Sequence, residues 1–149
     1  MSEASERVNE ILGKIIDAIG AEVEFEIKEE DGAISVDAKS EEPALLIGRD
    51  GNTLSAIEFL LNIIANRGLE GRIKVYLDIE GYKEKRKKVL EEVAFKAAKD
   101  VEAEQKTVAL EPMSPYERRI IHMALRDSTA VQTESKGEDP VRYVVVKPL

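Results

Sequence analysis

Apolar residues recur along the first twenty positions at intervals of three and four. The stripe consists of Val8, Ile11, Leu12, Ile15, Ile16 and Ile19. This spacing places every apolar side chain on one face of an α-helix, so it predicts an amphipathic helix over residues 5–19. Gly20 follows the last apolar position, and glycine commonly ends a helix there.

Strict alternation of apolar and polar residues replaces the helical spacing after Gly20. The apolar positions are Val23, Phe25 and Ile27, then Ile34, Val36 and Ala38, and later Ile73, Val75, Leu77 and Ile79. Alternation is typical of a strand with one solvated face. Asp31-Gly32 lies between the first two runs and favours a hairpin turn. The pattern therefore predicts a hairpin followed, further along, by a third strand.

Residues 43–67, between the second and third predicted strands, contain the most distinctive sequence pattern in the first half of the chain. It contains a short apolar run, a Gly-x-x-Gly loop at positions 48–51 and a second helical stripe. The stripe consists of Leu54, Ile57, Leu60, Leu61 and Ile64. It predicts a helix that begins at about Asn52. The first 79 residues thus read α-β-β-α-α-β, with the loop between the fourth and fifth elements.

Two helices and a small sheet are predicted for the second half. Residues 82–106 are predicted to form a helix with a narrow stripe of apolar residues on its buried side. A second helix is predicted to start at the capping box of residues 114–117, where proline occupies the first helical position. The stripe of the long helix is Val89, Val93, Ala97 and Val101. Extended runs at 130–134 and 141–147, together with 107–110, predict a three-stranded sheet under the second helix.

These elements predict an α+β protein with three parts. Residues 1–79 form one domain, residues 80–106 form a linking helix, and residues 107–149 form a small domain of three strands and a helix. About 40 residues is close to the lower limit for independent folding, so we expect the last domain to pack against the preceding helix.

Composition excludes several functional classes. The chain has 149 residues, of which 43% are hydrophobic, and it contains no cysteine, so no disulfide framework or thiolate metal site is expected. No apolar run approaches the roughly 18 residues of a membrane span, and the acidic N-terminal residues do not resemble a signal peptide. We expect a cytoplasmic protein with no membrane insertion, no metal and no cofactor.

Charge is distributed unevenly along the chain. The net charge of −8 repels nucleic acid on average, and residues 1–79 carry 8 Lys and Arg against 17 Asp and Glu. The densest basic cluster is Lys83, Lys85, Arg86, Lys87 and Lys88. Its charges fit a solvated helix face. They also fit a patch that positions a nucleic-acid backbone, with Lys83, Lys87 and Lys88 as phosphate contacts.

The Gly-x-x-Gly loop is the first candidate site. Gly48 and Gly51 enclose only Arg49 and Asp50, so the backbone turns tightly and approaches a ligand closely. The start of the following helix favours an anion such as a phosphate. Two glycines at this spacing also serve simply to end one helix and begin the next, so the loop alone does not decide between these roles.

The order of elements and the segment IGRDG resemble a KH domain of the bacterial, type II arrangement. The resemblance implies that Gly48, Arg49, Asp50 and Gly51 clamp the backbone of about four nucleotides. It also implies that Ile47 and Leu54 line the groove that takes the bases. The family commonly has a basic residue at the position of Asp50, so this loop departs from the pattern there.

Arg118 and His122 lie four residues apart and project from one face of the second predicted helix. A single histidine on a helix is usually a surface or hydrogen-bonded residue. The segments PMSPYERRIIHMAL and VQTESKGEDPVRYVVVKP, however, resemble the small single-stranded nucleic-acid-binding domain named for its Arg-x-x-x-His motif. By position, the resemblance assigns binding roles to Arg118 and His122, with Ser135, Arg142 and Arg119 beside them.

The succession of these domains is similar to the SpoIIIJ-associated (Jag) family. The resemblance implies a non-catalytic protein that grips single-stranded RNA and acts in bacterial cell elongation and division. Its implied partners are RNA and either a smaller KH protein or a second copy of itself. The alternative is a protein-interaction or dimerisation module with little affinity for nucleic acid. An enzyme is disfavoured, because the single His has no evident Cys, Ser or Asp partner in sequence context.

Overall fold

The structure is a computed structural model that describes all 149 residues. The chain forms two compact units, Met1–Lys83 and Glu84–Leu149. Each unit combines helices with its own three-stranded sheet, so the predicted α+β class is confirmed. No helix combines the length and the apolar character that crossing a bilayer requires.

The first unit contains the predicted order of elements. They are α1 (Glu3–Ile19), β1 (Val23–Glu30), β2 (Ala33–Ser40), α2 (Pro43–Ile47), a 3-10 turn (Arg49–Gly51), α3 (Asn52–Asn66) and β3 (Lys74–Ile79). The Ser2 hydroxyl caps α1 by accepting a hydrogen bond from the Ser5 amide at 3.1 Å. Gly20 ends the helix in the left-handed conformation, with φ of 80°. The α-β-β-α-α-β order is confirmed.

The sheet of this unit has the order β1-β2-β3. β1 and β2 pair antiparallel, and the predicted hairpin turn between them has positive φ at both Asp31 and Gly32. β2 and β3 pair parallel, with Val36 opposite Leu77. The inward side chains of the sheet pack against α1 and α3. The largest fully buried side chains of this core are Val8, Ile34, Val36, Leu46, Leu54, Leu61, Val75, Leu77 and Ile79.

The outer edge of β3 is closed by side chains of α3. Asn62 donates to the Val75 carbonyl at 2.8 Å and accepts from the Val75 amide at 2.9 Å. Asn66, one helical turn after Asn62, makes the same pair of bonds to Ile73, at 2.8 and 2.7 Å. Glu58, one turn before Asn62, accepts a hydrogen bond from the Leu77 amide at 2.8 Å. Four helical residues rise about 6 Å and two strand residues about 6.6 Å, so the two spacings match.

The second unit packs two helices with a small antiparallel sheet. Its elements are α4 (Tyr82–Glu104), which begins two residues before the unit boundary, β4 (Val108–Ala109), α5 (Pro115–Leu125), β5 (Val131–Lys136) and β6 (Tyr143–Pro148). The strand order is β4-β6-β5. Ser114 caps α5 as predicted, since its hydroxyl accepts from the Glu117 amide at 3.2 Å, but the Glu117 carboxylate pairs with Arg86 and does not complete the reciprocal half of the capping box.

Helix α4 contributes a full stripe to the core of the second unit. The buried core residues are Leu90, Ala94, Ala97, Val101, Ile121, Leu125, Val131, Val144 and Val146. The segment predicted as a link between domains therefore forms one wall of the second domain. The predicted stripe was partly wrong, because Val89 and Val93 are exposed. Strict steps of four rotate by about 40° each and drift off the face, whereas the sequence 90, 94, 97 and 101 stays on it.

Candidate nucleic-acid interface

The Gly-x-x-Gly loop forms the tight turn that its sequence predicts. Gly48 has φ of 71° and ψ of −174°, a conformation accessible essentially only to glycine. A Cβ atom added there would lie 2.9 Å from the Thr53 amide nitrogen. Gly51 has φ of 79°, and an added Cβ would lie 2.8 Å from Cε1 of Tyr82. Both glycines are therefore required by the fold of the loop itself.

The two residues at the tip of the loop are exposed. Arg49 presents its cation to solvent, and Asp50 adopts a left-handed backbone with φ of 53°. Asp tolerates this conformation better than most residues. A carboxylate and a guanidinium therefore stand side by side at the tip.

The start of α3 lies directly beside this tip. Gly51 occupies the N-cap position, no side chain caps the helix, and its first turn contains no acidic residue. The Gly51 amide donates to the Gly48 carbonyl at 3.4 Å, so the loop satisfies only part of the N-terminal donors. The remaining first-turn amides and the helix dipole make a favourable position for an anion.

The two apolar residues assigned to the base groove differ in position. Ile47 is half-buried and packs against the core of the first unit. Leu54 is only 2% exposed and belongs to that core, so its side chain is not available to a base. The prediction for Leu54 is corrected because this first residue of the α3 stripe points into the core together with Ile57 and Leu61.

Helix α3 also presents an apolar face that the sequence interpretation missed. Phe59 is 65% exposed and Ile63 is 52% exposed. Leu60, which was predicted to point inward, lies beside them and is exposed as well. We call these three residues the exposed α3 face. Phe59 and Ile63 are four residues apart and lie outside the predicted stripe, so their spacing was a signal available in the sequence.

The basic cluster at the start of α4 contains residues held in ion pairs and residues that are exposed to solvent. Lys83 bonds to the Glu58 carboxylate, so it is already engaged within the first unit. Arg86 pairs with Glu117, at 2.7 Å from Nε and 3.4 Å from Nη2. Lys85, Lys87 and Lys88 are exposed. Among the three predicted phosphate contacts, Lys87 and Lys88 fit a solvent-facing patch, whereas Lys83 is held in an ion pair.

In the second unit, Arg118 is largely buried under α5. Its Nε donates to the Met113 carbonyl at 3.3 Å, and its Nη2 lies 3.3 Å from the carboxylate of Asp139. The side chain of Asp139 is 58% exposed. Asp139 can therefore move into solvent at little cost, which would leave its place beside the Arg118 guanidinium to a phosphate.

His122 lies between α5 and β5 and contacts two hydroxyl groups. Nδ1 is 2.6 Å from Oγ1 of Thr133, and Nε2 is 2.8 Å from Oγ of Ser135. A hydroxyl both donates and accepts, so this environment suits the neutral imidazole. Burial, and then the nearby charge of Arg118, lower the pKa of His122 below its ordinary value of 6.5. The histidine is therefore neutral at pH 7 in the free protein.

Arg142 completes this group of residues. Its guanidinium donates to the carbonyls of Gly137 at 2.7 Å and Ser135 at 3.3 Å. The structure thus brings Ser135 into contact with both His122 and Arg142. We call Arg118, His122, Ser135 and Arg142 the Arg–His surface.

Arg119 does not belong to the Arg–His surface. Adjacent helical residues are about 100° apart, so Arg119 points away from the side that Arg118 occupies. It lines a groove between α5 and α4 instead. No group of three or more His, Cys, Asp or Glu side chains is arranged to hold a metal ion anywhere in the chain.

Comparisons with known proteins match both units. A family model described as KhpA/KhpB, KH domain, matches residues 5–79, and a model of the domain named for the Arg-x-x-x-His motif matches residues 88–148. The RNA-binding protein KhpB of Clostridium symbiosum is 38% identical over 139 residues, which cover 92% of this chain and 63% of that protein. The RNA-binding protein KhpB of Bacillus subtilis (strain 168) is 36% identical over 138 residues, covering 91% of this chain and 66% of that protein.

The chain is shorter than these relatives, since it spans less than two thirds of the length of each. The shared region nevertheless includes both units, with the Gly-x-x-Gly loop in the first and the Arg–His surface in the second. We therefore call residues 1–83 the KH unit and residues 84–149 the C-terminal unit. The chain belongs to the KhpB (Jag) family, with a KH domain followed by an Arg-x-x-x-His domain.

Proposed function

We propose that this protein binds single-stranded RNA and catalyses no reaction on it. The observation that carries the proposal is the uncapped start of α3 beside the Gly-x-x-Gly turn. The relatives named RNA-binding protein KhpB support the same ligand. In keeping with the family resemblance, we assign the function to the cytoplasm and to the regulation of bacterial cell elongation and division.

In the KH unit, backbone groups hold the RNA. A phosphate lies against the first-turn amides of α3, where the helix dipole adds to the attraction. Gly48 and Gly51 allow the tight turn that precedes these amides, and Arg49 supplies the local positive charge. Asp50 opposes this charge, so affinity rests on amide geometry more than on the net charge of the loop.

In the C-terminal unit, side chains hold an adjacent segment. Arg118 binds a phosphate after Asp139 turns away from it, and Arg142 lies on the same surface. A phosphate near His122 stabilises the protonated imidazole and so adds a second charge. The loop site of the KH unit and the Arg–His surface together bind a longer single strand than either site does alone.

Arg49→Asp tests the KH grip, because it makes both variable positions of the loop acidic while changing an exposed side chain. Gly51 is a poorer choice, since any side chain there meets Tyr82. We expect affinity for a single-stranded oligoribonucleotide to fall about tenfold, the effect of losing one charge-assisted contact. Fluorescence anisotropy with a labelled oligonucleotide measures the affinity, and a thermal melt checks the fold.

Arg72→Asp is the matched control. Arg72 is also exposed in the KH unit and the substitution changes the net charge equally, but position 72 lies outside the loop. We expect it to weaken binding by much less. Equal losses for the two variants, with both proteins folded, would attribute the effect to net charge and reject the loop as the binding site.

A second function is supported by the exposed α3 face. Phe59, Leu60 and Ile63 expose a contiguous apolar surface on one helix, and such surfaces are typical of protein interfaces. We propose that this face associates with a second KH unit, either of another copy of this chain or of a smaller KH protein. Association at this face is compatible with RNA binding at the loop.

A further inference from the structure

A groove runs between α4 and α5 within the C-terminal unit. Its cavity volume is about 450 Å³, which falls within the range of about 300–1,000 Å³ typical of small-ligand sites. The side chains that define it are Lys87, Glu91 and Phe95 of α4 and Tyr116, Arg119 and Met123 of α5. We call this cavity the α4–α5 groove.

The groove is separate from the Arg–His surface. Arg118 and His122 make their contacts with Met113, Asp139, Thr133 and Ser135, none of which lines the groove. The helix α5 therefore presents two different faces. The Arg–His surface accounts for one of them, and the groove face has no assigned role.

The apolar lining of the groove is exposed to solvent. Phe95 is 50% exposed and Tyr116 is 61% exposed, in a chain with only three Phe, four Tyr and no Trp. Met123, which is also half exposed, adds an apolar side chain between the charged ones. Exposed aromatic rings in a groove are the usual platforms on which the bases of single strands stack.

Two cations stand beside these rings. Lys87 and Arg119 are both exposed, and neither forms an ion pair within the chain. They differ in this from Arg86 and Arg118, whose charges are paired with Glu117 and Asp139. Aromatic side chains with unpaired cations at their margin form the combination that binds bases and phosphates of one strand.

Glu91 is the one carboxylate among these six residues, and it is half-buried. It repels a phosphate but accepts a hydrogen bond from an amino group. Carboxylates use this capacity to recognise the exocyclic amine of cytosine. The charge at Glu91 therefore favours a base that carries an amino group over uracil, which has none.

We propose that the α4–α5 groove binds an amino-bearing base of single-stranded RNA. The base packs against Phe95 and Tyr116, Glu91 accepts from its amino group, and Lys87 and Arg119 contact the flanking phosphates. This inference rests on the RNA-binding function proposed above. It adds a third contact region and gives the protein a base preference that backbone contacts alone do not provide.

Phe95→Trp tests the proposal directly, because the chain contains no other tryptophan. Titration with a cytidine-rich single strand should quench the indole fluorescence as the base stacks on it. Val93→Trp is the matched control, since residue 93 lies on α4 about 160° away from residue 95 and is also exposed. We expect quenching at position 95 and little change at position 93.

A second measurement gives the contribution of the two aromatic side chains to the free energy of RNA binding. The double variant Phe95→Ala, Tyr116→Ala should bind a cytidine-rich strand about tenfold more weakly, since stacking on one base is worth about 1–3 kcal/mol. Glu91→Ala should reduce the preference for cytidine-rich over uridine-rich strands. Both aromatic side chains are largely exposed, so their truncation leaves the core intact.

The outcomes separate this proposal from the broader function. If Arg49→Asp weakens RNA binding while the double variant binds like the parent and the indole at position 95 is not quenched, RNA binding stands and the groove proposal is overturned. If the parent binds no RNA, both proposals fail. If the indole at position 95 responds only to a protein partner, the groove is a protein-docking site and the base-binding proposal is overturned.

Discussion

The two units of this chain differ in the groups that would attract a phosphate in the function proposed above. Residues 1–83 carry 9 Lys and Arg against 18 Asp and Glu, whereas residues 84–149 carry 13 against 12. In the KH unit the favourable groups are backbone amides at the start of α3, and in the C-terminal unit they are side-chain cations. In the proposed function, the acidic KH unit therefore relies on correctly placed backbone amides and not on a basic surface to hold a phosphate.

The units also differ in the ion pairs that fix their helices. Glu58 of α3 pairs with Lys83, with side-chain exposures of 26% and 33%. Glu117 of α5 pairs with Arg86, with exposures of 10% and 26%. Solvent screens the first pair more than the second, so the C-terminal unit depends more strongly on its buried glutamate.

Glu117→Ala is expected to have the largest effect of the changes considered for this comparison. It removes the buried carboxylate that pairs with the Arg86 guanidinium and should lower the free energy of unfolding by about 2–3 kcal/mol. Glu58→Ala should cost less, about 1–2 kcal/mol, because solvent hydrates the Lys83 ammonium that it leaves behind, while the Leu77 amide also loses its acceptor. Urea denaturation followed by circular dichroism measures both values. Glu92→Ala, at an exposed position of α4, serves as the control. A loss for Glu58→Ala equal to that for Glu117→Ala would contradict the comparison.

Self-association should depend on the exposed α3 face of the KH unit and not on the C-terminal unit. Phe59→Arg is expected to raise the dissociation constant of a dimer, or of a complex with a smaller KH protein, by about thirtyfold, as for a central interface residue. Phe95→Arg makes the same change at an exposed position of the C-terminal unit and should leave association unchanged. Sedimentation equilibrium without RNA measures both. A parent chain that stays monomeric and ignores a smaller KH protein would remove the role of this face.

The smallest effect is expected from pH, and only through the C-terminal unit. The pKa of His122 is lowered from 6.5 by burial and by Arg118, so the folded state binds its proton less tightly than the unfolded chain does. This histidine therefore contributes stability above about pH 6.5 that decreases as the pH falls below that value. A bound phosphate favours the charged ring, so RNA affinity should rise over the same range, by less than tenfold per pH unit for one proton.

His122→Gln is the control for both trends, because the amide keeps hydrogen-bonding capacity without titrating. It should flatten the pH dependence of stability and of affinity together. Arg49→Asp in the KH unit should weaken binding at every pH and leave the slope unchanged. A His122→Gln protein with the parent's pH profile would show that His122 is not the titrating group.

The order of elements could be predicted from the sequence because it depends on local periodicity. Alternation at 23–27 and 34–38, the turn at Asp31-Gly32 and the cap at Ser114 each specify their own element. The environments of individual side chains were harder to predict from the sequence. Periodicity placed Leu54 on the apolar stripe of α3, which indicates the core, and the groove role implied by the family resemblance is the part that the burial of Leu54 contradicts.

The candidate site was predictable to a similar extent. Arg118, His122, Ser135 and Arg142 do lie together, whereas Arg119 faces another helix. Contacts between distant segments, such as Arg86 with Glu117, left no periodic signal in the sequence. The same reason explains the α4–α5 groove, because its two walls come from helices that local patterns treat separately.

The closure of β3 by Glu58, Asn62 and Asn66 has a mechanical consequence for the loop at the other end of α3. Moving this helix along the sheet by one residue, about 1.5 Å, would break all five of these hydrogen bonds in addition to disturbing the apolar packing. The axial position of α3 is thereby fixed to the strand. The uncapped amides at its first turn are consequently held in a fixed position relative to the sheet, so the phosphate site proposed there would be rigid rather than adjustable.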